Sequence, residues 1–358
     1  LRGNRVVEVA RVKVEAQIEI LGLEASELAL LCEELGEPTY RSKQIADWVY
    51  RKGARDFDSM TNLPKSLREQ LKQRAKITRS RIIHKLAADD GTTKFLLQLS
   101  DGETIEAVLL PYPDRVSVCV STQVGCPVGC VFCATGKSGF VRNLTSGEIV
   151  DQVLTLSETT PVTHVVLMGM GEPLLNFHNV LKAVRLLNQE VGISMRRITI
   201  STVGITPAIR KMAELDLQLT LAVSLHAPDQ RLRAELIPLC AKYPLAELMS
   251  ACRDYAEQTK RRVTFEYLLL ADINDSPSHA AQLARLVRGM LCHVNLIPFN
   301  EVVGSPFRRP SEQVIATFRS VLERHGVQVT QRVERGHSIA AACGQLRRQA
   351  TYCRESGS

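Results

Sequence analysis

Gly125-Cys126-Pro127-Val128-Gly129-Cys130-Val131-Phe132-Cys133 sets three cysteines at C-x3-C-x2-C spacing. The stretch directly follows an apolar run at 116–121 that reads as a buried strand. Close thiols on one loop converge on a metal centre, and soft thiolates suit an iron–sulfur cluster or zinc. A closed structural site takes four protein ligands. Three close ligands leave a position open, as a catalytic metal requires. A zinc site completed by a distant His or Cys is the other reading that the spacing allows.

Downstream of this loop the pattern alternates. Apolar runs at 116–121, 163–168, 197–201, 218–224, 262–269, 292–298 and 327–332 read as strands. Helical periodicity fills 145–157, 177–190, 206–214, 245–259, 278–289 and 311–325. Strand–helix alternation predicts βα units and a mainly parallel sheet, six or seven units long, short of the eight of a complete barrel.

Upstream, residues 81–110 read as a strand meander, with hairpin signals at Asp90-Gly91 and Asp101-Gly102. Pro111 and Pro113 mark its end. Before it, helices are expected from Ser26 to Leu35, over 41–52, and after Asn62 with Pro64 in the first turn. The expected organisation is a basic helical accessory domain over 1–80, a meander linker over 81–115, and a barrel over 116–358.

Charge sharpens that division. The 358-residue chain carries a net +7, yet residues 41–85 hold 13 Lys plus Arg against 4 acids. A solvated helical face is the plain reading, and a nucleic-acid contact surface is the sharper one. With 45% apolar and 23% charged residues, the chain has an ordinary globular balance and is neither disordered nor collagen-like. No run approaches the ~18 apolar residues of a membrane helix, and the first residues lack a signal-peptide core. The expectation is a cytoplasmic protein. The chain starts with Leu, so its natural start is not established by the sequence.

The cysteine loop resembles that of the radical S-adenosylmethionine (radical-SAM) superfamily. Longer stretches resemble one of its families, the dual-specificity RNA methyltransferases. They are Cys119-Val-Ser-Thr-Gln-Val-Gly-Cys126, Phe132-Cys133-Ala-Thr-Gly, Gly139-Phe140-Val-Arg-Asn143-Leu144, Met168-Gly-Met-Gly-Glu172-Pro-Leu-Leu-Asn176, Ser224-Leu-His226-Ala and Ala342-Cys343-Gly-Gln-Leu346. The resemblance runs from about residue 24 to about residue 350. It implies an α/β fold: a partial (β/α)6 radical-SAM barrel with a small N-terminal helical domain and a short β-meander linker.

It also implies the chemistry. The family methylates carbon 2 of an adenine in 23S rRNA and in tRNA. Adenine carbon 2 is too poor a nucleophile to take a methyl from a sulfonium by displacement. The resemblance assigns Cys126, Cys130 and Cys133 to a 4Fe-4S cluster whose open iron takes S-adenosylmethionine. It assigns Cys343 as the methyl carrier, from which a 5′-deoxyadenosyl radical takes hydrogen before the carbon adds to adenine. Cys119 then attacks the Cys343 sulfur and leaves a transient disulfide, which suits a reducing compartment. Glu106 would take the carbon-2 proton. It shares a strand face with Val108 and Leu110, and an apolar setting raises a carboxylate's basicity.

Gly171 and Glu172 match the loop that holds the cofactor's amino group. Ser201, Ser224, Leu225, His226 and Asn300 match cofactor-contacting positions at or near strand ends, where barrel sites form. Each has a bland reading: Gly171 in a tight turn, His226 as a helix cap, Cys119 as a small strand residue, Glu106 exposed on a strand. Further implied are an electron donor such as flavodoxin or ferredoxin and a monomeric state. Cys32, Cys240, Cys252, Cys292 and Cys353 match no functional pattern.

The chain departs from the family pattern at His337, Ser338 and Ala340, where acids are common. Two other functions compete: methylation of carbon 8 of the same ribosomal adenine, and a non-catalytic RNA-binding iron–sulfur protein.

Overall fold

A computed structural model describes residues 17–215, 217–300, 305–333, 335, 336, 339, 341 and 344–346. Cys343, Cys353, His337, Ser338 and Ala340 lie outside the described residues. The chain divides into two compact units, Leu1–Thr78 and Arg79–Ser358.

In the first unit, β1 (Ile18–Glu19) pairs in parallel with β2 (Ala75–Lys76) and packs with three helices: α1 (Ala25–Glu34), α2 (Arg41–Ala46) and α3 (Lys65–Arg74). A capping box starts α1: Glu24 and Glu27 each take the other's backbone N–H, satisfying donors that a helix start leaves open. The helix expected over 41–52 changes character at Asp47, where Asp47–Arg51 form one wider π turn. Leu28, Leu31, Cys32, Ile45, Val49, Leu67 and Leu71 fill the core. The Tyr50 hydroxyl accepts from Gly22 N–H at 3.0 Å and donates to the Leu23 carbonyl at 2.7 Å. Its polar tip is thereby satisfied inside the core.

The second unit is built on one sheet. Its antiparallel part is β3 (Arg81–Ala87), β4 (Thr93–Gln98) and β5 (Thr104–Pro111). Next in the chain come β6 (Val116–Cys119), β7 (Gln123–Gly125), α4 (Ala134–Lys137), β8 (Phe140–Asn143) and α5 (Ser146–Ser157). Then follow β9 (His164–Leu167), α6 (Phe177–Gln189), β10 (Ile198–Thr202), α7 (Thr206–Glu214), β11 (Thr220–Ser224), α8 (Gln230–Leu236) and α9 (Leu245–Thr259). The chain continues with β12 (Val263–Leu269), α10 (Pro277–Val287), β13 (Cys292–Pro298), α11 (Glu312–Arg324) and β14 (Val329–Gln331).

Strand order is β14-β13-β12-β11-β10-β9-β6-β5-β4-β3, and every pairing from β6 to β14 is parallel. Sequential order with a helix after each strand is the arrangement of a partial barrel. The segment expected as a linker is an antiparallel extension of this sheet: β5 pairs with β6 through Val108↔Cys119 and Leu109↔Val118.

Caps fix where the helices start. Thr145 and Glu148 form a capping box on α5, while Ser276 and Ser311 cap α10 and α11. Two features escaped the reading of the sequence. Helix α8 has little apolar periodicity and is started by the Asp229 carboxylate, which accepts from Leu232 N–H at 2.9 Å. The short β7–β8 hairpin holds the cysteine loop at its base. Gly125 there has φ +76, and a Cβ would lie 1.9 Å from the Gly139 carbonyl oxygen, so only glycine fits.

Candidate active site

The C-terminal ends of the parallel strands open onto a cavity of about 950 Å3, counted to its mouth. Cys126, Cys130 and Cys133 form one side of it. Gly171 and Glu172 line it from the loop after β9, Ser201 from β10, and Ser224 and His226 from the end of β11. The three cysteines and five of the seven expected cofactor contacts therefore share one space. Leu225 does not line it. That residue is fully buried, with its N–H bonded to the Glu266 carbonyl at 3.0 Å.

Glu172 is tied down on both oxygens. One accepts from Leu174 N–H at 2.9 Å and the other from Val203 N–H at 2.7 Å. Burial nevertheless pushes its carboxyl up to about 7. A buried carboxylate facing a cavity is a natural partner for a ligand ammonium. Gly171, at φ +105, lets the backbone come close: a Cβ would sit 2.7 Å from Gln123 Cβ.

His226 occupies the left-handed region at φ +57. Its Nδ1 accepts from Leu268 N–H at 3.0 Å, and Phe132 packs edge-on at 5.1 Å. Burial and the Arg233 charge push the imidazole down to about 3. It is therefore neutral, with its proton on Nε2, ready to donate. The helix-cap alternative fails, because Asp229 caps α8.

A second cavity adjoins the first, and Cys133, Thr135, Met168, Gly169, Ile297, Arg332 and Gly344 line both. Cys119, Val108, Leu110 and Asn300 line only the second. Asn300 Oδ1 is buried with no hydrogen-bond partner among the described residues. Ala341 and Gly344, the described residues nearest Cys343, also line this space. The Gly344 carbonyl accepts from Ala134 N–H at 2.8 Å, which joins the C-terminal segment to the residue after Cys133.

Glu106 lies on the face of β5 whose next two residues, Val108 and Leu110, line the second cavity. Glu106 itself is 1% exposed and is not among the lining residues. Its carboxylate pairs with Lys94 Nζ at 3.2 Å, the Ser121 hydroxyl donates to its carbonyl at 2.7 Å, and its N–H points at Met170 Sδ at 3.4 Å. An exposed strand glutamate is thereby ruled out.

The residues fit a cluster that leaves one metal position open. Burial raises the Cys126 thiol to about 12, with the neighbouring Glu172 and Cys133 charges adding to the shift. Burial acts in the same direction on Cys130. Such thiols become thiolates only when a metal takes the proton's place. Among the described residues, no three His, Cys, Asp or Glu side chains close on a point for one ion. A four-iron cluster binds each cysteine at a different iron, so it needs a shared cavity and not a shared point.

Sequence reasoning missed Glu266 and Arg332. Glu266 is 6% exposed in the apolar strand β12, lines the first cavity, and accepts from Asn295 Nδ2 at 2.8 Å. Burial raises its carboxyl and Arg332 partly offsets that. A lone carboxylate inside a β-type apolar run was the available signal. Arg332 follows the last strand and carried none. The basic run over 41–85 also divides. Arg79 is buried and ion-paired with Asp151, whereas Lys43, Lys65 and Lys76 are exposed.

Comparison with known proteins agrees with this architecture. Residues 120–284 match the radical SAM superfamily, and residues 18–77 match the ribosomal RNA large subunit methyltransferase N-terminal domain. A Gloeobacter violaceus protein named "Probable dual-specificity RNA methyltransferase RlmN" is 51% identical, over 92% of this chain and 95% of its own length. A Trichodesmium erythraeum protein of the same name is 52% identical, over 94% of this chain and 97% of its own. The crystal structure of a radical SAM methyltransferase from Sphaerobacter thermophilus superposes with a TM-score of 0.89 at 48% identity, covering 92% of this chain and 99% of that one. Cysteine loop, partial barrel and whole-length similarity lead to one conclusion: the chain belongs to the dual-specificity RNA methyltransferase family of the radical-SAM superfamily, enzymes that use a 4Fe-4S cluster and S-adenosylmethionine.

Proposed function

We propose that the chain methylates carbon 2 of an adenine in 23S rRNA and of an adenine in tRNA. The observation that carries this reading is the pair of adjoining cavities. One is lined by Cys126, Cys130 and Cys133 together with Glu172 and His226. The other is lined by Cys119 and by the described neighbours of Cys343.

When bound, the cluster and S-adenosylmethionine supply the methyl group and one-electron cleavage of a sulfonium. The rest falls to the chain. Cys126, Cys130 and Cys133 hold the cluster. Glu172 takes the cofactor's ammonium, and Gly171 leaves room for it. His226 donates from Nε2, and Ser201 and Ser224 line the same wall. Cys343 carries the methyl carbon to adenine, Glu106 removes the carbon-2 proton, and Lys94 keeps that carboxylate in place. Cys119 attacks the Cys343 sulfur, so a sulfur–sulfur bond forms as the sulfur–carbon bond breaks, and the released carbon keeps the bond pair and takes a proton to become the methyl group. Two electrons must then reduce the disulfide.

The exposed lysines of the first unit suit an RNA backbone. No helix among the described residues is long and apolar enough to cross a membrane. With an RNA substrate and a thiol-dependent cycle, the reading places the enzyme in the cytoplasm, served by a donor such as flavodoxin or ferredoxin.

The test is anaerobic reconstitution with iron and sulfide, followed by nucleoside mass spectrometry of rRNA and tRNA after S-adenosylmethionine is added. The expected product is 2-methyladenine in both. RNA that gains only 8-methyladenine, or nothing, overturns the assignment.

A further inference from the structure

Arg233, the fourth residue of α8, is fully buried. One Nη2 proton is donated to the Val203 carbonyl. Its Nε and Nη1 are buried and have no hydrogen-bond partner among the described residues. A guanidinium cannot shed its charge in a protein, so burying an uncompensated one is strongly destabilising. The fold therefore leaves a permanent cation with two unspent donor nitrogens, Nε and Nη1, inside the second unit.

Its surroundings say which anion it waits for. The groups whose charge would favour the guanidinium are thiols: Cys240, Cys252 and Cys130. Burial raises Cys240 to about 11 and Cys252 to about 12, so both stay neutral at physiological pH. Cys130 differs, because ligation by iron converts it to thiolate. The packing joins the same groups. The Leu236 carbonyl, one turn after Arg233, accepts from Val131 N–H at 3.1 Å, inside the cysteine loop. The Val203 carbonyl held by Arg233 also takes Cys240 Sγ at 3.5 Å. Val203 itself lines the cysteine-bearing cavity.

We propose that Arg233 is the buried counter-cation of the iron–sulfur cluster, compensating its Cys130 side and raising its reduction potential. Reduction adds an electron, and a fixed positive charge nearby stabilises the more negative state. The charge thus makes reduction easier for a donor such as flavodoxin or ferredoxin. The inference rests on the reading of Cys126, Cys130 and Cys133 as ligands.

The test is an EPR-monitored potentiometric titration of the anaerobically reconstituted full chain without S-adenosylmethionine. Arg233→Met is expected to cut the reduced-to-oxidised ratio at a fixed potential at least tenfold, a 59 mV fall in midpoint for one electron. Arg233→Lys keeps the charge and stays closer to the wild type. Arg233→Gln is a second neutral variant should Met not accept iron. In urea melts of the iron-free chain, the neutral variants are no less stable than the wild type, because they remove an uncompensated charge.

A full iron complement with an unmoved midpoint in a neutral variant overturns the role of Arg233 alone. So does a tenfold loss of S-adenosylmethionine affinity at an unmoved midpoint, which would give the guanidinium to the cofactor's carboxylate. Iron uptake by a chain lacking all three cysteines overturns the ligand reading, and this inference with it.

Discussion

Lys94 on β4 and Glu106 on β5 meet as an ion pair at 3.2 Å, their side chains 7% and 2% exposed. They sit diagonally, since Lys94 registers with Val108 and Glu106 with Leu96. Removing one member of such a pair strands the other charge inside the protein. Lys94→Met should cost about 3 kcal/mol in urea unfolding, and Lys94→Met with Glu106→Leu should recover much of it. A single variant as stable as the wild type would show that the pair is not desolvated in solution.

The three proposed thiol roles separate by readout. Cys126→Ala should lose iron. Under the proposed carrier role, Cys343→Ala should keep iron but methylate no RNA. Cys119→Ala should leave protein covalently joined to RNA, visible as a shifted band on a denaturing gel. RNA methylation that persists in Cys343→Ala removes the carrier role.

Two buried groups give the iron-free chain opposing pH dependences. Glu172 titrates near 7, so the folded chain keeps a proton that the unfolded chain releases above about 4.3. Stability therefore falls as pH rises between those values, by at most about 4 kcal/mol. His226, pushed down to about 3, refuses a proton that the unfolded chain takes below about 6.5. Its contribution is present above 6.5 and is lost as pH falls. Urea midpoints between pH 5 and 6.5 should rise more steeply with pH in Glu172→Gln than in the wild type. They should rise less steeply, or fall, in His226→Asn, which tolerates the left-handed backbone. Slopes equal to the wild type's would show that both groups titrate normally.

The basic segment predicts a split between RNA affinity and stability. Reversing exposed Lys43, Lys65 and Lys76 to Glu should weaken RNA binding and flatten its salt dependence by about 0.7 per lost phosphate contact. Arg79→Met should instead cost about 3 kcal/mol of stability, because it strands Asp151, and should leave the salt slope unchanged. Gel-shift titrations at several salt concentrations and urea melts read the two effects.

Much of the second unit was legible because its signals are local. The expected helices 206–214 and 245–259 coincide with α7 and α9, and strand 292–298 coincides with β13. Apolar period and caps act within a few residues of each other. Helix α8 was missed because Gln230-Arg-Leu-Arg-Ala-Glu-Leu236 buries only one edge, at Arg233 and Leu236. The meander was seen as strands, but its union with the sheet depends on β5 pairing with β6, and no single residue announces that pairing.

The sequence by itself determined the cysteine loop, the order of strands and helices, and the set of residue types available for chemistry. Spacing along the chain carries all three. Tertiary structure alone decided which charges face water. It sank Arg79 against Asp151, sealed Lys94 against Glu106, and left Arg233 with two unspent donor nitrogens. It also brought Glu266 and Arg332 to the cavity of Cys126, Cys130 and Cys133. Burial and ion pairing depend on neighbours tens to hundreds of residues away, and sheet order, not spacing, chooses those neighbours.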